Sequence, residues 1–256
     1  MQLLPANIKF LLCLAGLIIA NASQAEVSVE VMAAEGRVMV GDELGKISSP
    51  VQSKSIFSTG KILSTGPNSR AVIRVGSDGV IVVGKNSQIE IGKSKDEAGF
   101  FRQIKGIVYY ALNSIKGSQR PIEVKTSATT IGIRGTRFLV TEMDERNEIG
   151  MRKGLVNVSS ADGEFEVHKK AAQDEFEAFK QEAEAAISKE QHEFAQYNAQ
   201  TQQDFIEYMR EFSLAADRMA SFDGQRVVER PLSGETKNDM ESFENYAEEW
   251  LKSVND

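Results

Sequence analysis

The sequence predicts a mainly β protein that ends in helix, and three observations lead to that prediction. Up to His168, short runs of alternating apolar and polar residues recur every 8 to 15 residues between glycine-containing turns. Beyond His168, alanine, glutamate, glutamine and phenylalanine dominate, and apolar residues recur at helical spacing. Residues 26–168 carry 19 basic and 17 acidic side chains, whereas residues 169–256 carry 10 and 20. We therefore predict a β domain over 26–168 followed by a helical tail.

The first 25 residues have the pattern of a secretory signal peptide. Lys9 precedes an apolar run, Phe10–Ala20, and the small residues Ser23 and Ala25 favour cleavage after Ala25. An uncleaved anchor is the alternative, but the 11 residues of the run are too few for a hydrocarbon core about 30 Å thick. We expect a periplasmic or secreted protein with no membrane span after cleavage. Cys13 is the only cysteine, so no disulfide or thiolate site is expected in the mature chain.

Strands and turns follow one another through residues 26–168. An opening strand is predicted at Val38–Val40 and a turn at Ile62–Gly66. Ala71–Val75 and Val80–Val83 flank an Asp-Gly pair, Asp78 and Gly79, which predicts a hairpin because such turns tolerate positive φ. The later predicted units are Lys85–Ile91, Gly106–Val108, Ile122–Lys125, Ile131–Val140 and Gly154–Val158.

The stretch from Ile122 to Val140 is the most informative one. Its first half alternates as a half-buried strand does, and its second half resumes the alternation around Gly132 and Gly135. Glycine inside a strand pattern indicates a bulge, a bend or a close backbone approach. The apolar positions of the stretch are Ile122, Val124, Ile131, Ile133, Phe138 and Val140.

The order and spacing of these units, from about residue 27 to 167, resemble the FecR domain, a periplasmic β module. Ile133-Arg134-Gly135-Thr136 is similar to the Val-Arg-Gly-Thr-like quartet of that family. The resemblance implies a β-roll or β-solenoid-like sandwich. In iron-transport regulators such a domain senses a loaded outer-membrane receptor and controls a sigma factor through a cytoplasmic segment. Only nine residues precede the apolar run here, so the expected relative is a FecR-like protein without that segment.

Arg134 has two interpretations. Its guanidinium could bind a carboxylate or phosphate of a ligand, or it could pair with a carboxylate of its own domain and fix the strand register. We predict the second, because charged residues in strands are buried only when paired. Asp78 is the predicted partner, Gly135 is expected to make space, and the Thr136 hydroxyl is expected to close a backbone hydrogen bond.

Residues 169–223 are predicted to form a long amphipathic helix or helices, since no Pro or Gly interrupts them, and the Asp223-Gly224 pair is expected to stop the helix. A single helix of that length would span roughly 75 Å. It would have to break near Gln200–Gln203, project, or pack against a partner. Core packing and self-association both explain its apolar stripe. The candidate interaction stripe consists of Phe176, Phe179, Phe194, Tyr197, Phe205, Tyr208 and Phe212.

Residues 224–238 contain Pro231 and Gly234 and are predicted to be a linker. Residues 239–256 are predicted to form a short helix with its own apolar stripe. This helix and the long one could bury each other in a hairpin or coiled coil, or both could cover the β domain. The stripe of the short helix consists of Met240, Phe243, Ala247, Trp250 and Val254.

No catalytic pattern appears in the sequence. His168 and His192 have no metal-ligand spacing, and neither a nucleophile motif nor a glycine-rich phosphate loop is present. We therefore predict a non-catalytic protein without cofactor or metal. The acidic tail disfavours nucleic acid and anionic lipid as ligands.

The predicted function is an exported interaction module that binds an envelope protein or cell-wall component and forms homo-oligomers through its tail. The alternative is a signalling partner of an inner-membrane sensor or sigma-factor system. A hydrolase would require serine, lysine or paired carboxylates brought together in a cleft.

Overall fold

The computed structural model describes residues 29–43, 46–57, 60–76, 79–92, 100–113, 122–169 and 205–252. The strands of the first half are β1 (Val29–Glu35), β2 (Val38–Glu43), β3 (Lys46–Pro50), β4 (Ile56–Phe57), β5 (Ile62–Thr65), β6 (Arg70–Val75), β7 (Gly79–Val83), β8 (Gln88–Ile91), β9 (Phe100–Leu112) and β10 (Ile122–Lys125). The later elements are β11 (Thr129–Ile133), β12 (Thr136–Met143), β13 (Arg146–Lys153), β14 (Leu155–Ser160), β15 (Phe165–Lys169), β16 (Phe205–Met209), β17 (Glu211–Ala215), β18 (Arg218–Asp223), β19 (Arg226–Pro231), α1 (Gly234–Tyr246) and α2 (Glu248–Leu251).

The strands form two sheets that share β9. Sheet A has the order β4-β1-β6-β7-β9-β12-β13-β18-β19-β15-β16. Sheet B has the order β3-β2-β5-β8-β9-β10-β11-β14-β17. Neighbouring strands are antiparallel except β9 with β10 and β15 with β19. The first half of β9 pairs in sheet B and the second half in sheet A, so this strand joins the two sheets.

The main core lies between the two sheets. Alternate residues of each strand point into it, as the period of two requires for a sheet with one face covered. Tyr110 and Phe138 stack at its centre, with ring centroids 5.0 Å apart. Ile131 and Ile133 enter the core from sheet B, and Phe138 and Val140 enter it from sheet A. The alternation seen in the sequence is therefore real, but its two halves belong to opposite sheets.

A second core lies on the outer face of sheet A, where α1 and α2 cover it. Val72, Val82, Tyr109 and Leu139 alternate with the residues of the main core and point outward. Met240 and Ala247 are fully buried against this face, and Phe243, Tyr246 and Trp250 pack at its margin. The described residues thus form three layers, and α1 and α2 together make the third.

Local sequence explains where α1 begins and how closely it packs. Ser233 is the N-cap, and its hydroxyl accepts a hydrogen bond from the backbone N–H of Thr236 at 3.1 Å. Beneath the first turn lies Gly150 of β13, where a Cβ would approach the Thr236 methyl to 2.8 Å and the Met240 methyl to 3.0 Å. The absent side chain lets the helix lie directly on the sheet.

The mainly β prediction is confirmed, and the solenoid and the long helical tail are wrong. Residues 205–223 form β16, β17 and β18 in place of a helix, and the predicted boundary at His168 falls inside β15. The predicted linker contains β19 and the first turns of α1, which begins at Gly234 and not at residue 239. Residues 170–204, which carry the rest of the predicted long helix, lie outside the described residues, as do residues 1–28 with the predicted signal peptide.

The apolar residues of 205–223 recur at helical spacing, but they also fit the alternation of the strands that form there. Phe212 is 5% exposed and lies between the sheets, with ring centroids 5.7 Å from Phe165 and 6.4 Å from Phe222. The Asp223-Gly224 pair, expected to stop a helix, forms the turn of the β18–β19 hairpin, in which Asp223 pairs with Arg226 and Gly224 has φ +58°. In the part of the chain that the structure describes, neither helix has the length and apolarity needed to span a membrane.

We expect Met240→Ala to lower the free energy of unfolding by about 2–5 kcal/mol, because it leaves a cavity between α1 and sheet A. Urea unfolding followed by circular dichroism measures this loss. Lys237→Ala, at an exposed position of the same helix, is the control and should change stability by less than about 0.5 kcal/mol. Equal effects of the two substitutions would show that α1 is only peripherally attached.

Candidate functional site

The Ile133–Thr136 quartet forms a corner between the two sheets. Ile133 ends β11 in sheet B, and Thr136 begins β12 in sheet A. Gly135 has φ +66°, a left-handed backbone that reverses the chain between them. A Cβ at Gly135 would meet no atom within 4 Å, so glycine is needed there for its backbone angle and not for space.

A second corner, between β13 and β14, packs against the first. Its Gly154 has φ +88°, and a Cβ there would approach the Gly135 carbonyl oxygen to 2.8 Å and the Thr136 methyl to 2.9 Å. Thr136 is 2% exposed. Among the described residues its hydroxyl has no hydrogen-bond partner, so the expected backbone hydrogen bond is not formed. Thr136 contributes to this corner through its methyl group, which packs against Gly154.

Arg134 lies at the tip of the first corner and is exposed. It makes no ion pair with any residue that the structure describes, in contrast to the predicted tuck against its own domain. Asp78, the predicted partner, lies outside the described residues. Its neighbour Gly79 pairs with Leu112, which pairs with Thr136, so the hairpin and the corner are two strands apart, about 10 Å. The backbone brings the two motifs to one end of sheet A.

A repeated turn that the sequence interpretation did not recognise makes two further corners. Gly66-Pro67-Asn68-Ser69 and Gly84-Lys85-Asn86-Ser87 share the pattern Gly-x-Asn-Ser. In each turn the asparagine has φ +52°, and the serine hydroxyl donates to the carbonyl two residues earlier at 3.0 Å. The same hydroxyl accepts from a distant backbone N–H, that of Arg37 in the β1–β2 turn at 2.9 Å or that of Ile107 in β9 at 3.0 Å. The repeated Gly-x-Asn-Ser pattern is the sequence signal that could have revealed these two turns.

The bend of β9 depends on the second of these serines. Gly106 has φ +93°, and a Cβ there would fall 2.2 Å from the Ser87 hydroxyl oxygen and 2.5 Å from its Cα. Inside the bend, the amide nitrogen of Gln103 donates to the carbonyls of Gly106 at 2.9 Å and Val140 at 3.0 Å. The Tyr110 hydroxyl donates to the amide oxygen of Gln103 at 3.0 Å. This network satisfies the polar groups that the bend leaves in the core.

Glu244 of α1 joins the helix to sheet A. Its carboxylate accepts a hydrogen bond from the Tyr109 hydroxyl at 2.6 Å and lies 3.9 Å from an Arg137 nitrogen and 3.6 Å from an Arg152 nitrogen. Burial raises the pKa of Tyr109 well above its usual range, and the hydrogen bond to Glu244 raises it further. The neutral phenol is therefore the form that the fold stabilises.

Among the described residues, four cations lie around the two stacked corners, and they fall into two classes. Arg137 and Arg152 share the carboxylate of Glu244. Arg134 and Lys153 are exposed, and within the described chain neither has a carboxylate partner. Beside them Leu155 is 50% exposed. We call Arg134, Lys153 and Leu155 the basic corner.

A groove of about 620 Å³ opens on the other side of the molecule, where β9 and β10 separate. Its walls have mixed charge, with an Arg102 nitrogen 3.6 Å from a Glu90 oxygen. Residues that line it include Asp42, Glu90, Arg102, Lys125, Thr126 and Thr130. The described residues contain no group of three or more His, Cys, Asp or Glu side chains arranged to hold a metal ion.

The predicted interaction stripe is divided by the structure. Phe205, Tyr208 and Phe212 lie on strands, so a helical stripe is wrong for these three. Tyr208 is 69% exposed and Phe212 belongs to the main core. The other members of the stripe lie outside the described residues, namely Phe176, Phe179, Phe194 and Tyr197.

Residues 61–157 match the family model described as FecR protein, which confirms the resemblance seen in the sequence. The matched range includes both Gly-x-Asn-Ser turns, the bend of β9 and both stacked corners. Two crystal structures of a protein described as a "putative anti-sigma factor" from Parabacteroides distasonis ATCC 8503 are also similar, at 9% identity and TM-scores of 0.45 and 0.44. The similarity covers 69% of this chain, which spans 62% of theirs. No curated protein matches the chain significantly.

The two kinds of corner glycine should respond differently to alanine. Gly106→Ala must displace Ser87 and break the bend of β9, so we expect a loss of more than about 3 kcal/mol or no folded protein. Gly135→Ala meets no clash and should cost only the backbone term, about 1 kcal/mol. Urea titration of both variants gives the comparison, and a Gly135 variant as unstable as the Gly106 variant would contradict it.

Stability should fall at alkaline pH because two tyrosines are held neutral. The folded state raises the pKa of Tyr109 and of Tyr110 above the unfolded value. Stability is thus fully present below about pH 10 and is lost as pH rises, by about 1.4 kcal/mol per pH unit for each tyrosine. Burial also raises the pKa of Tyr246, so Tyr109→Phe should remove part of that slope, at most about half, in unfolding titrations between pH 10 and 11.5. An unchanged slope would contradict the assignment.

Proposed function

From the FecR match over residues 61–157, we propose that this protein is an exported, non-catalytic interaction module of the cell envelope. In this proposal the three-layer β structure is a scaffold, and residues 170–204 contact the partner. The observation that carries the proposal is the hairpin of β15 and β16, in which Lys169 and Phe205 are register partners. The sheet therefore ends at Lys169 and resumes at its register partner Phe205, with 35 residues of sequence between them.

The composition of residues 170–204 suits an interaction segment. It contains eight acidic and three basic residues and no Gly or Pro. Phe176, Phe179, Phe194 and Tyr197 recur at helical spacing, which predicts an amphipathic helix or helices. A helix anchored only at a hairpin needs a surface for its apolar face, and a partner helix or a second copy supplies one. The partner is therefore an envelope protein or another copy of this chain.

The remaining chain makes a suitable scaffold for such a segment. Strands on both sides of it, from β1 to β19, contribute to one core, and α1 closes the outer face of sheet A. Because 205–252 supply strands β16 to β19 and both helices, this region belongs to the scaffold. Display from a rigid fold lowers the entropy that is lost when the segment binds.

A second candidate function is regulation within a sensor or sigma-factor system. The FecR match favours it, because that family gives the module a place in envelope signalling. The two functions differ in the partner. A signalling role requires an inner-membrane protein among the bound partners, whereas a purely structural role requires a wall component or a second copy.

The proposal is tested by excising residues 170–204 and joining Lys169 to Phe205 through Asn-Gly, a two-residue hairpin turn. We expect circular dichroism to be preserved and unfolding free energy to stay within about 1 kcal/mol. Concentration-dependent mass by light scattering and in-cell crosslinks to envelope proteins should both disappear. An excised protein that keeps its assemblies and its crosslinks would refute the role of this segment.

A point substitution supplies a matched comparison within the full-length chain. Phe179→Glu places a charge in the predicted apolar stripe, and Gln181→Glu adds the same charge off the stripe. Only the first should reduce assembly and crosslinking.

N-terminal sequencing of the exported protein should begin at Glu26 if the signal peptide is cleaved after Ala25.

A further inference from the structure

The protein neutralises two of the four cations at the stacked corners and leaves two of them exposed. Glu244 lies within 4 Å of both Arg137 and Arg152. Arg134 and Lys153 are joined to none of the described carboxylates. Leu155, next to them, exposes half of its surface. An apolar side chain flanked by two available cations is complementary to an acidic, amphipathic segment.

The strand directions place Lys169 and Phe205, which flank residues 170–204, at the same end of sheet A as the basic corner. β13 is antiparallel to β18, β18 is antiparallel to β19, and β19 is parallel to β15. β13 and β15 therefore run in the same direction. Lys153 ends the first strand and Lys169 ends the second. Both strands therefore finish at the same end of sheet A.

The same pairings give the distance between the two sites. Lys169 pairs with Glu229, Glu229 with Ala220, and Ala220 with Ile149. Lys153 is four residues beyond Ile149 along β13 and three strands away from β15, so the two lysines are on the order of 20 Å apart. Half of a 35-residue segment, if helical, spans about 26 Å. The segment can reach the basic corner and return.

Charge complementarity selects this segment as the occupant. Residues 170–204 have a net charge of −5, from eight acidic and three basic residues, whereas Arg134 and Lys153 have no carboxylate partner among the residues that the structure describes. Asp217, exposed in the turn before β18, is a carboxylate on the same end of the sheet and makes the local field less positive. The apolar stripe of the segment would cover Leu155, and its acidic flanks would meet the two cations.

We infer that the basic corner is an intramolecular docking surface for residues 170–204 of the same chain. This inference rests on the proposed function, since it concerns how the segment that binds the partner is held when no partner is bound. A partner that takes the apolar stripe then competes with Leu155, and binding releases the segment from the corner. Arg134, the exposed residue of the Ile133–Thr136 quartet, thereby binds an acidic part of the segment and not a carboxylate of its own sheet.

Photocrosslinking in the full-length exported protein tests this docking. Leu155 is replaced by p-benzoylphenylalanine, and the irradiated protein is digested and analysed by mass spectrometry. The control places the same residue at Ile56, which is 70% exposed on β4 at the far edge of sheet A. We expect crosslinks from position 155 to peptides of residues 170–204 in the monomer band, and none to those peptides from position 56.

Charge reversal tests the electrostatic part of the contact. Arg134→Glu combined with Lys153→Glu should lower the yield of that crosslink about tenfold. Lys105→Glu, an exposed lysine before the bend of β9, should leave the yield unchanged. Raising the salt concentration from 0.05 to 1 M should also lower the yield, because the Debye length falls to about 3 Å. Yields insensitive to both changes would overturn the assignment of Arg134 and Lys153.

The outcomes separate this inference from the proposed function. Mixing ¹⁵N-labelled and unlabelled protein identifies whether the two crosslinked peptides come from one chain. Crosslinks from position 155 to residues 170–204 of another copy would overturn intramolecular docking and support assembly through the segment. Loss of partner crosslinks on excision, together with no contact at position 155, would refute the docking alone. Docking in a protein whose excised form keeps every partner would refute the proposed function alone.

Discussion

The close approach of Gly106 to Ser87 is the contact on which the architecture depends. β9 is shared by both sheets, and it can turn from one to the other because the Ser87 hydroxyl occupies the space that a side chain at position 106 would take. That hydroxyl joins two turns, donating to the Lys85 carbonyl in its own turn and accepting from the Ile107 N–H just after the bend of β9. Once the turn is fixed, the face of each sheet that points inward is determined, because neighbouring strands must keep their alternation in register.

The outer layer follows from the same strand. Tyr109 and Tyr110 are neighbours on β9, and the period of two directs one to each core. Tyr110 stacks on Phe138 between the sheets, while Tyr109 contacts Phe243 and donates to Glu244 beneath α1. One strand therefore orients the sandwich and also anchors the helix, and the arginines around Glu244 extend that anchor to the stacked corners. The corner glycines and the helix are parts of one connected structure.

Much of the β pattern could be predicted from the sequence, because burial of one face of a sheet imposes alternation. The hairpin at Gly79 and the strands at Ile122–Lys125 and Leu155–Ser160 follow directly. The position at which the chain passes from one sheet to the other could not be predicted. Residues on opposite sheets that face one core alternate in the same way as residues on a single strand. The Asp-Gly pair at Asp223 was interpreted as a helix stop, although the same pair at Asp78 indicated a hairpin. Apolar residues three and four apart in 205–223 fitted a helix by spacing alone, and tertiary pairing overrode that spacing.

The division of charge also has a different meaning once the fold is known. Three acidic residues after residue 204 pair with arginines of the sheets, namely Glu229 with Arg218, Glu235 with Arg146 and Glu244 with Arg137. The acidity of residues 205–252 is thus part of how the third layer is held in place. The eight acidic residues between Lys169 and Phe205 belong to an insertion at a hairpin, and a hairpin closes without it. In the proposed docking, the charge of this segment opposes that of the basic corner at the same end of sheet A, so surface chemistry and not core packing would determine its function.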